Sequence, residues 1–110
     1  MTVYVVVDND VLEPEPYREY LAQVTPTVAE YGGHYVVRGG TVHYADTDWR
    51  PPRLVIMGFA TLSAAQAWVT DERMAPIHAL RRAHAHSRMI IVDGIELSGG
   101  EQLDAGDEQS

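Results

Sequence analysis

Two segments of the chain would form β-strands that are apolar on both faces. Side chains alternate between the two faces of a strand, yet in Val3–Val7 and in Leu54–Phe59 nearly every position of both alternating sets is apolar or aromatic. An antiparallel sheet with helices on one side normally presents polar side chains on its other side. We therefore expect such a sheet to be covered twice, by helices on one face and by a second copy of the chain on the other.

The segments between these strands predict a small α+β domain. Apolar residues at helical spacing follow Glu13-Pro-Glu-Pro16 and indicate a first helix that ends at Gly32-Gly33. The predicted order is a strand at Val3–Asp8, this helix, a strand over His34–Tyr44 with a bulge at Gly39-Gly40, a return strand at Arg53–Phe59, a helix capped by Ser63 that restarts at Thr70, and a last strand at Arg88–Asp93. This β-α-β-β-α-β order predicts a ferredoxin-like fold with a four-stranded antiparallel sheet.

Charge is distributed unevenly along the chain. The net charge is -8 over 110 residues, but the last fifteen residues contain five of the sixteen acids and no basic residue. We expect one folded domain at residues 1–97 and a disordered acidic tail at 98–110. All eight basic residues are arginine, which is typical of a GC-rich bacterial coding sequence. The chain lacks the basic stripe that nucleic-acid binding needs, so nucleic acid is not an expected partner.

The composition also limits cofactors and location. The chain has no cysteine, which excludes disulfides, thiolate catalysis and the commonest structural zinc sites. It shows no glycine-rich phosphate loop, nucleophile elbow or metal-ligand cluster. No apolar run approaches the ~20 residues that a membrane span needs. We therefore expect a cytoplasmic protein without a metal, a cofactor or a membrane partner.

Several motifs, in this order and spacing, resemble the domain of unknown function 1330 family over about residues 3–95. They are Tyr17 and Tyr20, Tyr31-Gly-Gly33, Val37-Arg-Gly-Gly40, Trp49-Arg-Pro51 with Arg53, Phe59, Ala79-Leu-Arg81, Ser87-Arg88 and Ile91-Val-Asp-Gly94. The resemblance implies a dimeric α/β barrel, in which two ferredoxin-like sheets pack together with helices outside. Relatives in that superfamily include cofactor-independent monooxygenases, isomerases, cyclases and non-catalytic ligand binders.

The sequence departs from the family's pattern at two places. The family usually carries a glutamate just before the phenylalanine of the third strand, and this chain has Gly58 there, which suggests a bulge or an enlarged cavity. The segment before the last strand typically reads Ala-Ala-Asp-Ser-Arg, whereas here it is His84-Ala-His-Ser-Arg88. The two imidazoles suggest specialised chemistry.

The predicted topology brings the chemistry-bearing side chains to one end of the sheet. We expect His84, His86 and Asp8 to be the catalytic candidates, because imidazole and carboxylate groups exchange protons near neutral pH. The expected ligand-binding residues are Arg38, Arg53, Tyr17, Tyr20 and Trp49.

Each candidate also has a structural interpretation. Arg38 needs an anionic partner, which is either a carboxylate of the protein (Asp8 or Asp10) or an anionic ligand. Arg53 likewise has either a structural role or a ligand-binding role. The tyrosines belong to the helix core or point their hydroxyls into a cavity, and Trp49 is a loop anchor, a dimer contact or a stacking platform. His84 and His86 are solvated cations at a helix end, or acid/base groups.

Two classes of function follow. In the first, the protein is a homodimeric, cofactor-independent enzyme that uses acid/base chemistry on a small oxygenated or anionic organic molecule. Isomerase, cyclase and monooxygenase-like reactions all belong to this class, including the tailoring steps of biosynthesis. In the second, it is a non-catalytic ligand-binding or scaffolding homodimer.

Overall fold

The structure, a computed structural model, describes residues 2–95. The predicted order of elements is confirmed. The elements are β1 (Val3–Val11), α1 (Pro14–Glu30), β2 (Gly33–Arg38), β3 (Arg53–Phe59), α2 (Leu62–Thr70), a 3-10 turn (Glu72–Met74), α3 (Ala75–His84) and β4 (Ala85–Asp93). The expected acidic tail at 98–110, and with it the domain boundary at 97, lies outside the described residues.

The four strands form one antiparallel sheet in the order β2-β3-β1-β4. The first strand is therefore central, and it pairs with β3 and with β4 along most of its length. Val5, for example, is opposite Met57 on one side and Ile91 on the other. This is the ferredoxin-like arrangement, and it places β1 and β2 in one direction and β3 and β4 in the other.

One face of the sheet packs against the helices and forms the core. The odd-numbered residues of β1 face this side, and Val3 and Val5 are fully buried. The predicted apolar stripe of α1 packs on them, because its residues repeat every three or four positions. Trp68 of α2 completes the layer, where its ring packs 6.0 Å from that of Phe59 and its indole N–H donates to Thr27 Oγ1 at 3.0 Å.

The opposite face, here called the open face, carries the even-numbered residues of β1 and is also apolar. Its outer strand exposes 59% of Ile90 and 45% of Val92. The segment between β2 and β3 reaches this face, where Trp49 lines a groove with Val6 and Ile90. Trp49 itself stays 59% exposed. The sheet therefore has the second apolar face that the sequence predicts, and no described residue covers it fully.

The predicted second strand was too long. The strand ends at Arg38, and residues 41–44 have no regular secondary structure. The register shift lies between Tyr35 and Val37, and not at the glycine pair. Gly39 has φ +69, and a Cβ there would lie 2.5 Å from Arg53 Nη1. Its N–H donates to Leu54 O at 2.8 Å, so this glycine turns the chain out of the sheet.

Two predicted boundaries around the helices were also wrong. The cap of α2 is Thr61, whose Oγ1 accepts from the backbone N–H of Ala64 at 3.1 Å, and not Ser63. The last strand begins at Ala85, three residues earlier than predicted, because β1 continues to Val11 and Val11 pairs with Ala85. His86 therefore lies in a strand and not at a helix end.

A single charge on the open face should separate the copies of the expected homodimer. Ile90→Glu would place a carboxylate in an apolar interface, where desolvation without a partner is costly. The native chain should be a dimer by light scattering at micromolar concentration, and it should bury more than the ~1,000 Å² typical of specific interfaces. The variant should have the mass of one chain.

Leu62→Glu is the matched control, because Leu62 is also an exposed apolar residue, at 45%, but lies at the start of α2. This control should stay dimeric. A native chain that is monomeric at these concentrations would contradict the interface.

Candidate functional site

The alternation of the strands separates the predicted site residues onto two faces. Asn9 and Arg53, which are cross-strand partners, face the helices. Asp8, one residue earlier, faces the open side with Arg88 of β4. The residues that were expected to meet at one end of the sheet do lie near that end, but the sheet itself stands between the two groups.

A small cavity lies between the helix-covered face of the sheet and α1. Its enclosed volume is about 20 Å³, which is room for about one water molecule. Three aromatic residues from the helices and three polar residues from the strands are among its walls. The lining residues are Val7, Asn9, Tyr17, Tyr20, Leu21, Val24, Tyr35, Arg38, Arg53, Val55, Met57 and Trp68.

Two polar atoms at this cavity are buried without a hydrogen-bond partner among the described residues. They are Asn9 Oδ1, an acceptor, and Arg53 Nε, a donor. The other end of the Asn9 amide is satisfied, because its Nδ2 donates to the hydroxyl of Tyr17 at 2.9 Å. A buried polar group without a partner costs roughly 1–3 kcal/mol. The pair therefore marks a place where a water molecule or a ligand completes the hydrogen bonding.

Arg38 lies at the mouth of the same cavity and does not have the carboxylate partner that the sequence suggested. Its Nη2 donates to Thr25 Oγ1 at 2.5 Å, and its guanidinium stacks 4.4 Å from the centre of the Tyr35 ring. Asp8 is not its partner, because Asp8 is on the other face and accepts from Arg88 at 2.7 Å. Arg38 is exposed, which removes the need for a buried ion pair.

A buried polar network, which the sequence reasoning missed, lies behind Tyr20. The guanidinium of Arg81, only 4% exposed, contacts His78 Nδ1 at 2.8 Å and donates to Ser87 Oγ at 2.9 Å. Arginine has donors only, so His78 Nδ1 accepts and its Nε2 carries the hydrogen that goes to Trp68 O at 2.9 Å. The spacing of His78 and Arg81, three apart on α3, was the available signal.

Burial dominates the proton affinities in this network. Desolvation lowers the pKa of His78 from its ordinary value, and the nearby Arg81 lowers it further. Desolvation raises the pKa of Tyr20 to about 12, against the opposing charge of Arg81. Both groups are therefore neutral at pH 7.

The predicted catalytic residues lie outside the cavity. His84 ends α3, and its Nδ1 contacts Glu13 Oε1 at 2.7 Å, which ties α3 to the start of α1. His86 is opposite Asp10 on the open face. His86 and Asp10, together with Asp8, Trp49 and other residues, line a groove of about 440 Å³. Trp49 Nε1 donates to Asp8 Oδ2 at 3.2 Å. Within residues 2–95 there is no cluster of three or more metal-ligating side chains.

The sequence of residues 2–95 matches the family described as Domain of unknown function (DUF1330). The chain belongs to the DUF1330 family. No curated protein matches it by sequence. Among the helices of the described DUF1330 domain, none has the length and apolar character to cross a membrane.

Solved structures share the fold of this DUF1330 chain. Their sequence identities to it are low, so the likeness supports a common fold and nothing more. A protein of unknown function from Rhodopseudomonas palustris, RPA0582, has a TM-score of 0.68 at 16% identity and covers 87% of this chain and 84% of its own. A dimeric ferredoxin-like protein of unknown function from Jannaschia sp. CCS1 has a TM-score of 0.65 at 10% identity, with coverages of 86% and 100%. SnoaB, a cofactor-independent oxygenase from Streptomyces nogalater, has a TM-score of 0.60 at 15% identity, with coverages of 87% and 95%.

Gly58, at the position where the resemblance implies a glutamate, lies beside an imidazole. A Cβ at this position would lie 2.9 Å from His34 Cε1 and 3.2 Å from Thr2 Cγ2. Gly58 lines none of the cavities described above. The space left by the missing side chain is therefore used by His34.

The buried His78 should make the stability of this protein depend on pH. Because its pKa is lower in the folded state than in the unfolded state, the unfolded chain binds the extra proton first as pH falls below the ordinary value of about 6.5. The free energy of unfolding should therefore decrease from pH 7 downward, until the pH reaches the folded pKa of His78. One proton corresponds to a slope of at most about 1.36 kcal/mol per pH unit.

Urea unfolding at a series of pH values and one protein concentration measures this slope. His78→Gln should reduce it, whereas His43→Gln, in the exposed segment between β2 and β3, should leave it unchanged. An equal slope in the native chain and in His78→Gln would show that other groups cause the pH dependence.

Proposed function

We propose that this protein is a homodimeric enzyme that binds a small oxygenated organic molecule in the cavity between the sheet and α1 and moves a proton on it without a cofactor. The observation that supports this most is the pair of unpartnered buried atoms, Asn9 Oδ1 and Arg53 Nε. A substrate with a hydroxyl group and a neighbouring carbonyl or oxyanion oxygen would satisfy both atoms. A water molecule would occupy the same position in the absence of a substrate.

The size of the cavity sets what binding requires. The enclosed space of about 20 Å³ holds only one small group of a substrate. This is far below the roughly 300–1,000 Å³ of sites that enclose a whole small molecule, so the rest of a substrate would extend through the mouth of the cavity. Arg38 is at the mouth and exposed, so the rest of a substrate would displace or contact its side chain.

Two groups of residues are candidates for the proton-transfer step. Tyr17 is inside the cavity, and its oxygen accepts from Asn9 Nδ2, which leaves its own hydrogen for a substrate oxygen. His86 and Asp8 lie outside the cavity and line the groove, and His84 lies outside the cavity against Glu13. Geometry therefore favours Tyr17 as the group that donates a proton to the substrate oxygen, with a water molecule at the mouth of the cavity taking the proton from the neighbouring carbon. The likeness in fold to a cofactor-independent oxygenase supports the enzyme class and does not identify the substrate.

A non-catalytic ligand-binding homodimer is the second candidate, and one observation favours it. Among the residues that line the cavity there is no aspartate, glutamate or histidine. A general base that works near neutral pH is therefore missing from its walls. The likeness to a dimeric protein supports the homodimer in both candidates.

Binding and proton transfer can be tested together with a panel of small 2-oxo acids and 1,3-dicarbonyl compounds. Ligand-observed NMR would identify the compounds that bind the native dimer. Asn9→Ala and Arg53→Met should each weaken this binding by tenfold or more, because each leaves a ligand oxygen without its partner. Arg50→Met, an exposed residue of the neighbouring segment, is the matched control and should bind as the native chain does.

Incorporation of solvent deuterium beside the carbonyl group would measure proton transfer on the same compounds. Tyr17→Phe should slow this exchange by roughly 10²–10⁴ with binding retained, the range for loss of an acid/base group. His84→Gln and His86→Gln should exchange at the native rate. Loss of that size in a histidine variant would assign the step to the imidazole, and no exchange with any bound compound would favour the binding protein.

A further inference from the structure

Arg81 is a buried cation that has only neutral partners in the described structure. Its hydrogen-bond partners are His78 Nδ1 and Ser87 Oγ, and its charge lies close enough to the Tyr20 hydroxyl to oppose the rise in the pKa of that group. The salt bridges found within residues 2–95 do not include it. A buried guanidinium without a counter-ion is costly to keep. Its positive charge also acts strongly over short distances, because the surrounding dielectric constant is low.

The charge of Arg81 reaches the cavity through Tyr20. A nearby positive charge favours the orientation in which the Tyr20 oxygen faces Arg81 and its hydrogen is left for another acceptor. Tyr20 lines the cavity beside Tyr17, with ring centres 5.2 Å apart. The Tyr17 oxygen likewise accepts from Asn9. Both hydroxyls are therefore available as donors to a group in the cavity.

The charged residues that line the cavity are, like Arg81, positive. Arg53 adds a buried donor, its Nε, and Arg38 adds a guanidinium at the mouth. No acidic side chain is among the lining residues. Hydrogen-bond donors and positive charge thus surround a cavity that has room for one small chemical group. This arrangement favours an anion over a neutral molecule of the same shape.

We propose that the cavity binds its ligand through an oxyanion, of the carboxylate class, held by the hydroxyls of Tyr17 and Tyr20 and by Arg53. Arg81 is a positioning residue in this proposal: it does not touch the ligand and acts through Tyr20. The inference rests on the proposed function, because it concerns the same cavity. It adds to that function the negative charge of the ligand and the role of Arg81, which lies outside the cavity wall.

Acetate and acetamide are the probes, because they have nearly the same shape and differ in charge at pH 7.5. Binding to the full-length protein would be followed by ¹H–¹⁵N NMR at the indole N–H of Trp68, which lines the cavity. The chain has two tryptophans, so Trp49→Phe assigns the signal. Acetate should shift it in a saturable way, with a dissociation constant at least tenfold lower than that of acetamide.

Four variants test the role of Arg81. Arg81→Met and Tyr20→Phe should each weaken acetate about tenfold. Arg81→Met should leave acetamide unchanged, whereas Tyr20→Phe, which removes a donor to either probe, should weaken acetamide by a smaller factor than acetate. The double variant should bind acetate no more weakly than Arg81→Met, because both changes remove one shared effect. Arg81→Lys should recover part of the preference for acetate. Arg82→Met is the matched control, since Arg82 is the next residue of α3 and is exposed.

The outcomes separate this inference from the proposed function. Equal binding of acetate and acetamide would overturn the oxyanion and leave the cavity as a ligand site. Binding of neither probe at 100 mM would overturn both. Should Arg81→Met fail to fold, Tyr20→Phe decides, because an unchanged preference for acetate in that variant removes Tyr20 and Arg81 from the site.

Discussion

The two-residue alternation of β1 determines where the chemistry of this protein lies. Because this strand is central, each of its side chains meets partners from both neighbouring strands on the same face. Asn9 thereby joins Arg53 under α1, and Asp8 joins Arg88 on the open face. A shift of one residue in the register would exchange the two groups. The apolar residues of β1 oppose such a shift only weakly, since both of its faces are apolar. The register of β1 is therefore specified mainly by its pairing with β3 and β4.

The fold was predictable from the sequence because its signals are local and repeated. Strand composition, the helical stripe that includes Tyr17 and Tyr20, and the order of the elements all agree, and agreement between such signals is what specifies a fold. The boundaries failed where tertiary contacts decide. Ala85 belongs to β4 because Val11 offers it a partner, and residues 41–44 leave the sheet because Gly39 turns the chain.

The site was less predictable, for a physical reason. Topology places residues at one end of a sheet, but the face of each side chain depends on the register, which the sequence does not specify when both faces are apolar. Asn9 was overlooked, because it lies between Asp8 and Asp10, just beyond the predicted end of the strand, and carries no motif. His78 was overlooked, and Arg81 was named in a motif but not as a site residue, since their importance comes from burial and a charged residue on a helix is usually exposed. The tyrosines and Arg53 were named and do line the cavity.

The pairing of the first strand with the last has a consequence for how this chain folds. Val3 pairs with Asp93 and Val11 with Ala85, so this half of the sheet joins residues more than seventy positions apart. Contacts between such distant residues form late and slow the folding of small domains. Until β4 arrives, during synthesis or refolding, one edge of the valine-rich β1 has no partner and can pair with another chain. Aggregation during expression, and chaperone dependence, would therefore depend on how quickly β4 reaches β1.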